Sequence, residues 1–224
     1  MRMKRCSLFF VSTLLFFLNS VLLNAQSFLT ASQYFKEVSD YYATIKDYEA
    51  DISIETGKNS LFGHVSYKQP EMLRIDFSNP AEQVILFNGD NLVIYLPGYS
   101  AILEQAVISS GNAATAQGLA LLRRYYTIAY ETGPDSVPFD EDDEENVVNL
   151  LLKRRSASES FTQIKLSVGS DSKLIRKVEA RTAQGTSFTF VFSNYNLNSS
   201  ISDQRFIYDP PSSANNYNNF LFSE

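Results

Sequence analysis

The chain changes its hydrophobic period once, near residue 47. Before that point Phe35, Val38, Tyr42 and Ile45 recur at helical spacing, with Tyr34 and Tyr41 beside them. Lys36, Glu37, Asp40 and Lys46 occupy the opposite face. Thr30 followed three residues later by Gln33 has the form of a capping box. The spacing predicts an amphipathic helix over 28–45 that must bury one face against something else. After that point Tyr48, Ala50, Ile52 and Ile54 alternate with Glu49, Asp51, Ser53 and Glu55, the period of a half-buried strand.

The alternation persists, broken by turn residues every eight to twelve positions. Gly57-Lys58-Asn59 leads to a run from Leu61 to Lys68 in which Leu61, Gly63, Val65 and Tyr67 share a face. Leu73, Ile75 and Phe77 alternate after Pro70, and Asn79-Pro80 breaks the run. Residues 83–87 and 92–96 flank Asn88-Gly89-Asp90, a strong hairpin signal. A stretch rich in Ala, Leu and Arg from Ala113 to Tyr126 predicts a short helix, with Leu119, Leu122 and Tyr126 on one stripe. Residues 131–146 read as a loop with two prolines and an acidic run. Strands resume over 147–153, 161–168, 174–181 and 187–195.

This order predicts a mainly β domain: a half-open antiparallel barrel of about 11 strands, with an N-terminal helix and a short lid helix. No dedicated crossover helices are seen, so a parallel sheet is not expected.

Two strands carry too much apolar surface for a sheet with one wet face. Residues 83–87 and 92–96 are apolar on both sides. Either the protein's own helices cover both faces, or one face lines a hollow for an apolar ligand. The periodicity does not fix which side chains of these two strands point inward.

Arg2, Lys4 and Arg5 precede an apolar run from Leu8 to Leu18, and the segment ends on a small residue, Ala25. This is the pattern of a cleaved signal peptide over 1–25, leaving a single domain over 26–224. Cys6, the one cysteine, would leave with the leader, so no disulfide is expected. The formal charge of −6 falls to −9 once those three basic residues are gone. Such a surface repels nucleic acid and anionic headgroups.

The catalytic inventory is thin, and an enzyme is not expected. His64 is the one histidine, placed on the outward parity of its strand, with no nucleophile motif near it. No metal-ligand spacing and no phosphate loop occurs, so neither cofactor nor metal is expected. Asp140 to Glu145 lacks the spacing and the glycine of a calcium loop.

The stretch from Gly63 to Gln105 carries a more specific pattern. A Gly-x-hydrophobic strand (Gly63-His64-Val65) leads to Lys68-Gln69-Pro70. The alternating strand of Leu73, Ile75 and Phe77 then runs to Pro80. A hydrophobic strand, a Gly89-Asp90 turn and Tyr95-Leu96-Pro97 complete it. This block resembles the LolA-type periplasmic outer-membrane lipoprotein carrier family, and the closing Phe206-Ile207-Tyr208-Asp209-Pro210-Pro211 falls in the expected order. The resemblance implies a monomeric periplasmic carrier that shields lipoprotein acyl chains between the inner and outer membranes. Its implied partners are acylated lipoproteins and an inner-membrane ABC transporter that releases them, with an outer-membrane acceptor left open. It implies a hydrophobic cavity lined by Leu73, Ile75 and Phe77 under a lid carrying Leu119 and Leu122, with Tyr48, Ile52, Val65 and Tyr67 on neighbouring strands. Many family members carry Arg where this chain has Gln69, and there it helps hold the lid. Gln69 and Arg74 are thus the candidate latch residues. A sensor of lipid or lipoprotein on the same fold, or a carrier of free lipid, are the alternative readings.

Overall fold

The computed structural model describes residues 29–106, 116–140 and 145–220. The expected leader, the loop at Ser109–Asn112 and most of the acidic run lie outside them. Helix α1 (Ala31–Thr44) starts where the sequence places it. The Thr30 hydroxyl accepts from the Gln33 N–H at 3.3 Å, and the Gln33 side chain accepts from the Thr30 N–H at 3.0 Å. Those two bonds satisfy donors that every helix start leaves free. The helix buries Tyr34, Phe35, Val38 and Tyr42, the predicted face.

Among the described residues thirteen strands follow, against an expectation of about eleven. They are β1 (Asp47–Thr56), β2 (Asn59–Lys68), β3 (Met72–Asn79), β4 (Ala81–Asn88), β5 (Asn91–Leu96) and β6 (Ala101–Ala106). Helix α2 (Ala116–Tyr125) interrupts them. Next come β7 (Tyr126–Tyr130), β8 (Val137–Pro138), β9 (Asn146–Arg154), β10 (Phe161–Gly169), β11 (Ile175–Thr182), β12 (Ser187–Leu197) and β13 (Asn215–Asn218). The extra strands are short: two residues inside the predicted proline loop, and four in the Asn-rich tail, where β13 pairs in parallel with β6. Tyr126, assigned by spacing to the helical stripe, instead opens β7 and pairs with Arg154.

One sheet holds all of them, in the order β13-β6-β5-β4-β3-β2-β1-β12-β11-β10-β9-β7, with β8 on β9. The path does not close on itself, so the barrel is half open. The concave face carries the larger core, in which α1, Tyr48, Ile52, Val65, Ile75, Leu119, Leu150 and Leu166 are joined. Gly63 sits beside the register shift between β2 and β3, opposite Phe77. A Cβ there would lie 2.6 Å from the Asp76 carbonyl oxygen, so a larger residue would force the strands apart.

The doubly apolar strands β4 and β5 resolve into two faces. Ile85 lies opposite Ile75 and packs against the concave core. Val84, Leu86 and Tyr95 point the other way and are buried with Ile201 and Phe206. The outer cover is therefore not a helix of the kind expected but the C-terminal segment, which includes a 3-10 turn at Asp203–Phe206.

A charge cluster pins that segment to the convex side of β3. Arg205 donates to Asp76 at 2.5 Å and to the Ser66 hydroxyl at 3.0 Å. Arg74 donates to both Asp76 oxygens and to the carbonyls of Arg205 and Ile207, and lies over the Tyr208 ring. Burial opposes ionisation of Asp76, but the two guanidiniums outweigh it and its pKa is lowered.

A carboxylate held below its ordinary pKa contributes stability above that value and loses it as the pH falls through the lowered one. Asp76→Asn should cost on the order of 1–2 kcal/mol at neutral pH, the cluster being one-third exposed. As the pH falls below the ordinary aspartate value of about 4 and then through the lowered value of the folded protein, the melting temperatures of the two proteins should converge. Thermal unfolding followed from pH 7 to pH 3 checks both.

Candidate functional site

The concave core is not filled. A cavity of about 280 Å³ remains between the sheet and the helices. Its wall is made by Tyr48 and Ile52 of β1, Val65 of β2, Leu73 and Ile75 of β3, and Leu119 and Leu122 of α2. On the far side it is completed by Phe161, Ile164 and Leu166 of β10, Ile175, Val178 and Ala180 of β11, and Phe190, Phe192 and Tyr195 of β12. Tyr42 of α1 closes it. A more open groove of about 310 Å³ is lined by Leu121, Leu122 and Tyr125 of α2 together with Phe161 and Ile164, and the two share Leu122, Phe161 and Ile164.

Seven of the nine predicted lining residues are thus brought together: Tyr48, Ile52, Val65, Leu73, Ile75, Leu119 and Leu122. Tyr67 and Phe77 belong to the same core but lie outside the wall. Tyr67 packs against Tyr48 with ring centroids 5.1 Å apart, and its hydroxyl donates to the Pro70 carbonyl. Phe77 is buried opposite Gly63.

The two latch candidates are corrected. Arg74 is on the convex face, its guanidinium committed to Asp76 and to the C-terminal segment. Alternation explains this, because Arg74 stands between the inward Leu73 and Ile75. Gln69 donates to the Ala43 carbonyl at 3.1 Å, so it secures the end of α1. Glu145, at the end of the acidic run, is not simply solvated. Burial opposes its ionisation, yet Ser172 and Arg176 outweigh that and lower its pKa. His64 is on the convex surface, with Asp51 at 3.0 Å and Glu49 at 3.7 Å. Among the described residues no cluster of His, Cys, Asp and Glu is placed to hold a metal ion.

Half the wall comes from β10–β12, which sequence reading recognised as strands without assigning to the site. Two irregularities hide them from a period-two count. The pairing of β10 and β11 shifts at Ser167/Val168, so Ile175 and Val178, three apart, both face the hollow. The pairing of β1 and β12 shifts between Glu49 and Asp51, opposite Asn194, whose φ is +53°. That bulge turns Tyr195 to the side of Phe190 and Phe192. The available signal was Asn194 itself, since Asn tolerates a left-handed backbone better than most residues.

The only polar atoms of these lining side chains are phenol oxygens. The Tyr42 hydroxyl accepts from the Ile175 N–H at 2.9 Å, and the Tyr195 hydroxyl donates to the Ile175 carbonyl at 2.8 Å. The two phenols thereby satisfy the backbone at the β11 bulge. Burial pushes the Tyr42 phenol up to about 12, partly offset by the Ile175 N–H. Burial also raises Tyr48 and Tyr195 well above the ordinary phenol value. All three stay neutral at physiological pH, and the cavity wall carries no charge.

Residues 53–209 match the family described as outer membrane lipoprotein carrier protein LolA, well over half of the chain. The chain belongs to the LolA family. It is 23% identical over 157 residues to the outer-membrane lipoprotein carrier proteins of Pseudomonas paraeruginosa and Pseudomonas aeruginosa, covering 66% of this chain and 67% of theirs. Among solved structures it is similar to an uncharacterized conserved protein from Thermus thermophilus, with a TM-score of 0.57 and 10% identity over 84% of this chain and 98% of that one. It is also similar to a chain of the Pseudomonas aeruginosa MucA/MucB complex, with a TM-score of 0.51 and 13% identity. That match covers 83% of this chain and 62% of the other. At these identities the likeness shows a shared fold. The family match begins inside β1, so α1 and Tyr42 lie before it.

Removing the Tyr42 hydroxyl strands the Ile175 N–H in an apolar wall. Tyr42→Phe should lower stability by about 1–3 kcal/mol, read as a reduced midpoint in urea with an unchanged slope.

Proposed function

We propose that this protein is a periplasmic carrier that holds the acyl chains of lipoproteins in the concave cavity and moves them from the inner to the outer membrane. The observation that carries the reading is the cavity itself: apolar, uncharged, and lidded by a helix whose Leu119 and Leu122 form part of its wall. Family membership, the carrier proteins it is similar to, and the signal-peptide pattern support the same reading.

The energetics are simple. Each methylene taken out of water contributes about 0.8 kcal/mol, so an acyl chain gains from any part of its length that reaches the hollow. The wall offers contact without a charge or a nucleophile, which suits cargo that must leave chemically unchanged. Release requires that affinity stay moderate. Leu119 is fully buried and Leu122 half-buried against the surface that the cargo would occupy. Lid and ligand then compete for the same contacts, and the lid's own packing subtracts from the affinity. In this scheme an inner-membrane ABC transporter loads the carrier, and delivery at the outer membrane, through an acceptor or directly, unloads it.

Ile75→Glu places a charge in the wall and should abolish binding of a fluorescent acyl probe. Ile75 is 9% exposed, so circular dichroism must accompany the measurement. Leu122→Glu, at a less buried position on the lid, serves as the second variant. Normal probe binding by both folded variants would remove the cavity from the function. Mass spectrometry of material co-purifying from the periplasm tests the cargo. Acylated lipoproteins are the expected finding, whereas free lipid alone or a signalling protein would replace the reading by that of a lipid carrier or a sensor.

A further inference from the structure

Three tyrosines stand in the cavity wall, and two have their hydroxyls committed to the Ile175 backbone. Tyr48 does not. It is 1% exposed, it lines the cavity, and its hydroxyl makes no hydrogen bond to any described residue. The ring has no freedom to turn away. Strand β1 is paired on both sides here, with Tyr48 opposite Tyr67 in β2 and Leu197 in β12. Its ring centroid is 5.1 Å from that of Tyr67 and 5.6 Å from that of Tyr195.

Every one of those contacts would be made equally well by phenylalanine. The hydroxyl is the one part of Tyr48 that the fold leaves unused, and it stands in a wall that is otherwise apolar. A ligand oxygen brought into the cavity would give it a partner.

We propose that Tyr48 selects among ligands: its hydroxyl donates a hydrogen bond to a neutral oxygen of the bound acyl ligand, an ester carbonyl or a hydroxyl borne on the chain. The inference rests on the acyl-cavity reading above and deepens it. A neutral oxygen is favoured over a carboxylate because no Lys, Arg or His is among the lining residues, so a buried anion would find no counter-charge. Strand register places Tyr48 and Tyr195 at one end of the hollow, and Phe161 at the other, beside the open groove. A chain lying along the strands presents its ester end to Tyr48 in one orientation and its far end in the other.

The test compares wild type with Tyr48→Phe in competition against a fluorescent apolar dye. Three ligands are used: a long-chain alkane, the methyl ester of the same chain, and that ester bearing a hydroxyl at its far end. The variant should bind the methyl ester, or the hydroxylated ester alone, about tenfold more weakly, and whichever ligand responds reports the orientation. The alkane should bind within about twofold of wild type, and the ligand-free melting temperature should be unchanged or higher. Equal binding of both oxygenated ligands by the two proteins overturns the proposal. A lower ligand-free melting temperature also overturns it, since that marks the hydroxyl as structural. Failure of all three ligands to displace the dye from wild type overturns the acyl-cavity reading itself, a result distinct from equal binding.

Discussion

A curved sheet that buries its concave face without filling it is the constraint on which this molecule is built. Protein interiors normally pack as densely as organic crystals, and an empty apolar volume forfeits contacts in proportion to its size. Here α1 covers one end of the concave face with Phe35, Val38 and Tyr42, and α2 reaches over the rest with Leu119 and Leu122. What stays open is walled by strands paired side by side in one sheet, which hold the wall in shape. The bulges that turn Ile175 and Tyr195 inward supply part of the curvature, and Tyr42 and Tyr195 tie off the backbone groups at the first of them.

The convex side supports the same shape by a different means. Val84, Leu86 and Tyr95 are buried under Ile201 and Phe206, and Asp76 gathers Arg74 and Arg205 to hold that cover in place. The division follows the strand period. Along β3 Leu73 and Ile75 of the inward set line the hollow and Phe77 joins the core beside it, while the outward pair of Arg74 and Asp76 serves the clasp. One strand therefore carries both jobs, and the two meet nowhere except through the backbone.

Much of this was legible from the amino-acid order, for reasons that also explain the remainder. Period two over β1–β3 needs only local sterics, and it placed Tyr48, Ile52, Val65, Leu73 and Ile75 on the right face. The capping box at Thr30 is likewise local. Where β4 and β5 are apolar on both sides, the pattern holds no information about which side faces inward, because the cover comes from residues more than a hundred positions later. The bulges at Ile175 and Asn194 reverse parity by one residue, and a strict alternation carries the count past them. Arg74 was drawn toward the lid by its charge, but its parity already pointed outward, and geometry outranks chemistry when the two disagree. Tyr126 fitted the helical stripe by spacing, and pairing with β9 overrode it.

The lid is where the departure at Gln69 bears on mechanism. The last carbonyls of any helix lack partners within it, and Gln69 satisfies Ala43 at the end of α1. The residue is therefore spent on α1, not on α2. With Arg74 also committed, neither candidate holds α2 shut by charge. Helix α2 is ten residues long, too short to be stable in water by its own propensity. Its folding depends on the apolar contacts it makes, Leu119 above all. On the proposed carrier reading, an acyl chain entering the hollow would compete for that surface directly, with neither Gln69 nor Arg74 holding the helix against it. On that reading closure and cargo are alternative ways of covering the same hydrocarbon-lined wall, and the packing of Leu119 and Leu122 enters the balance between them.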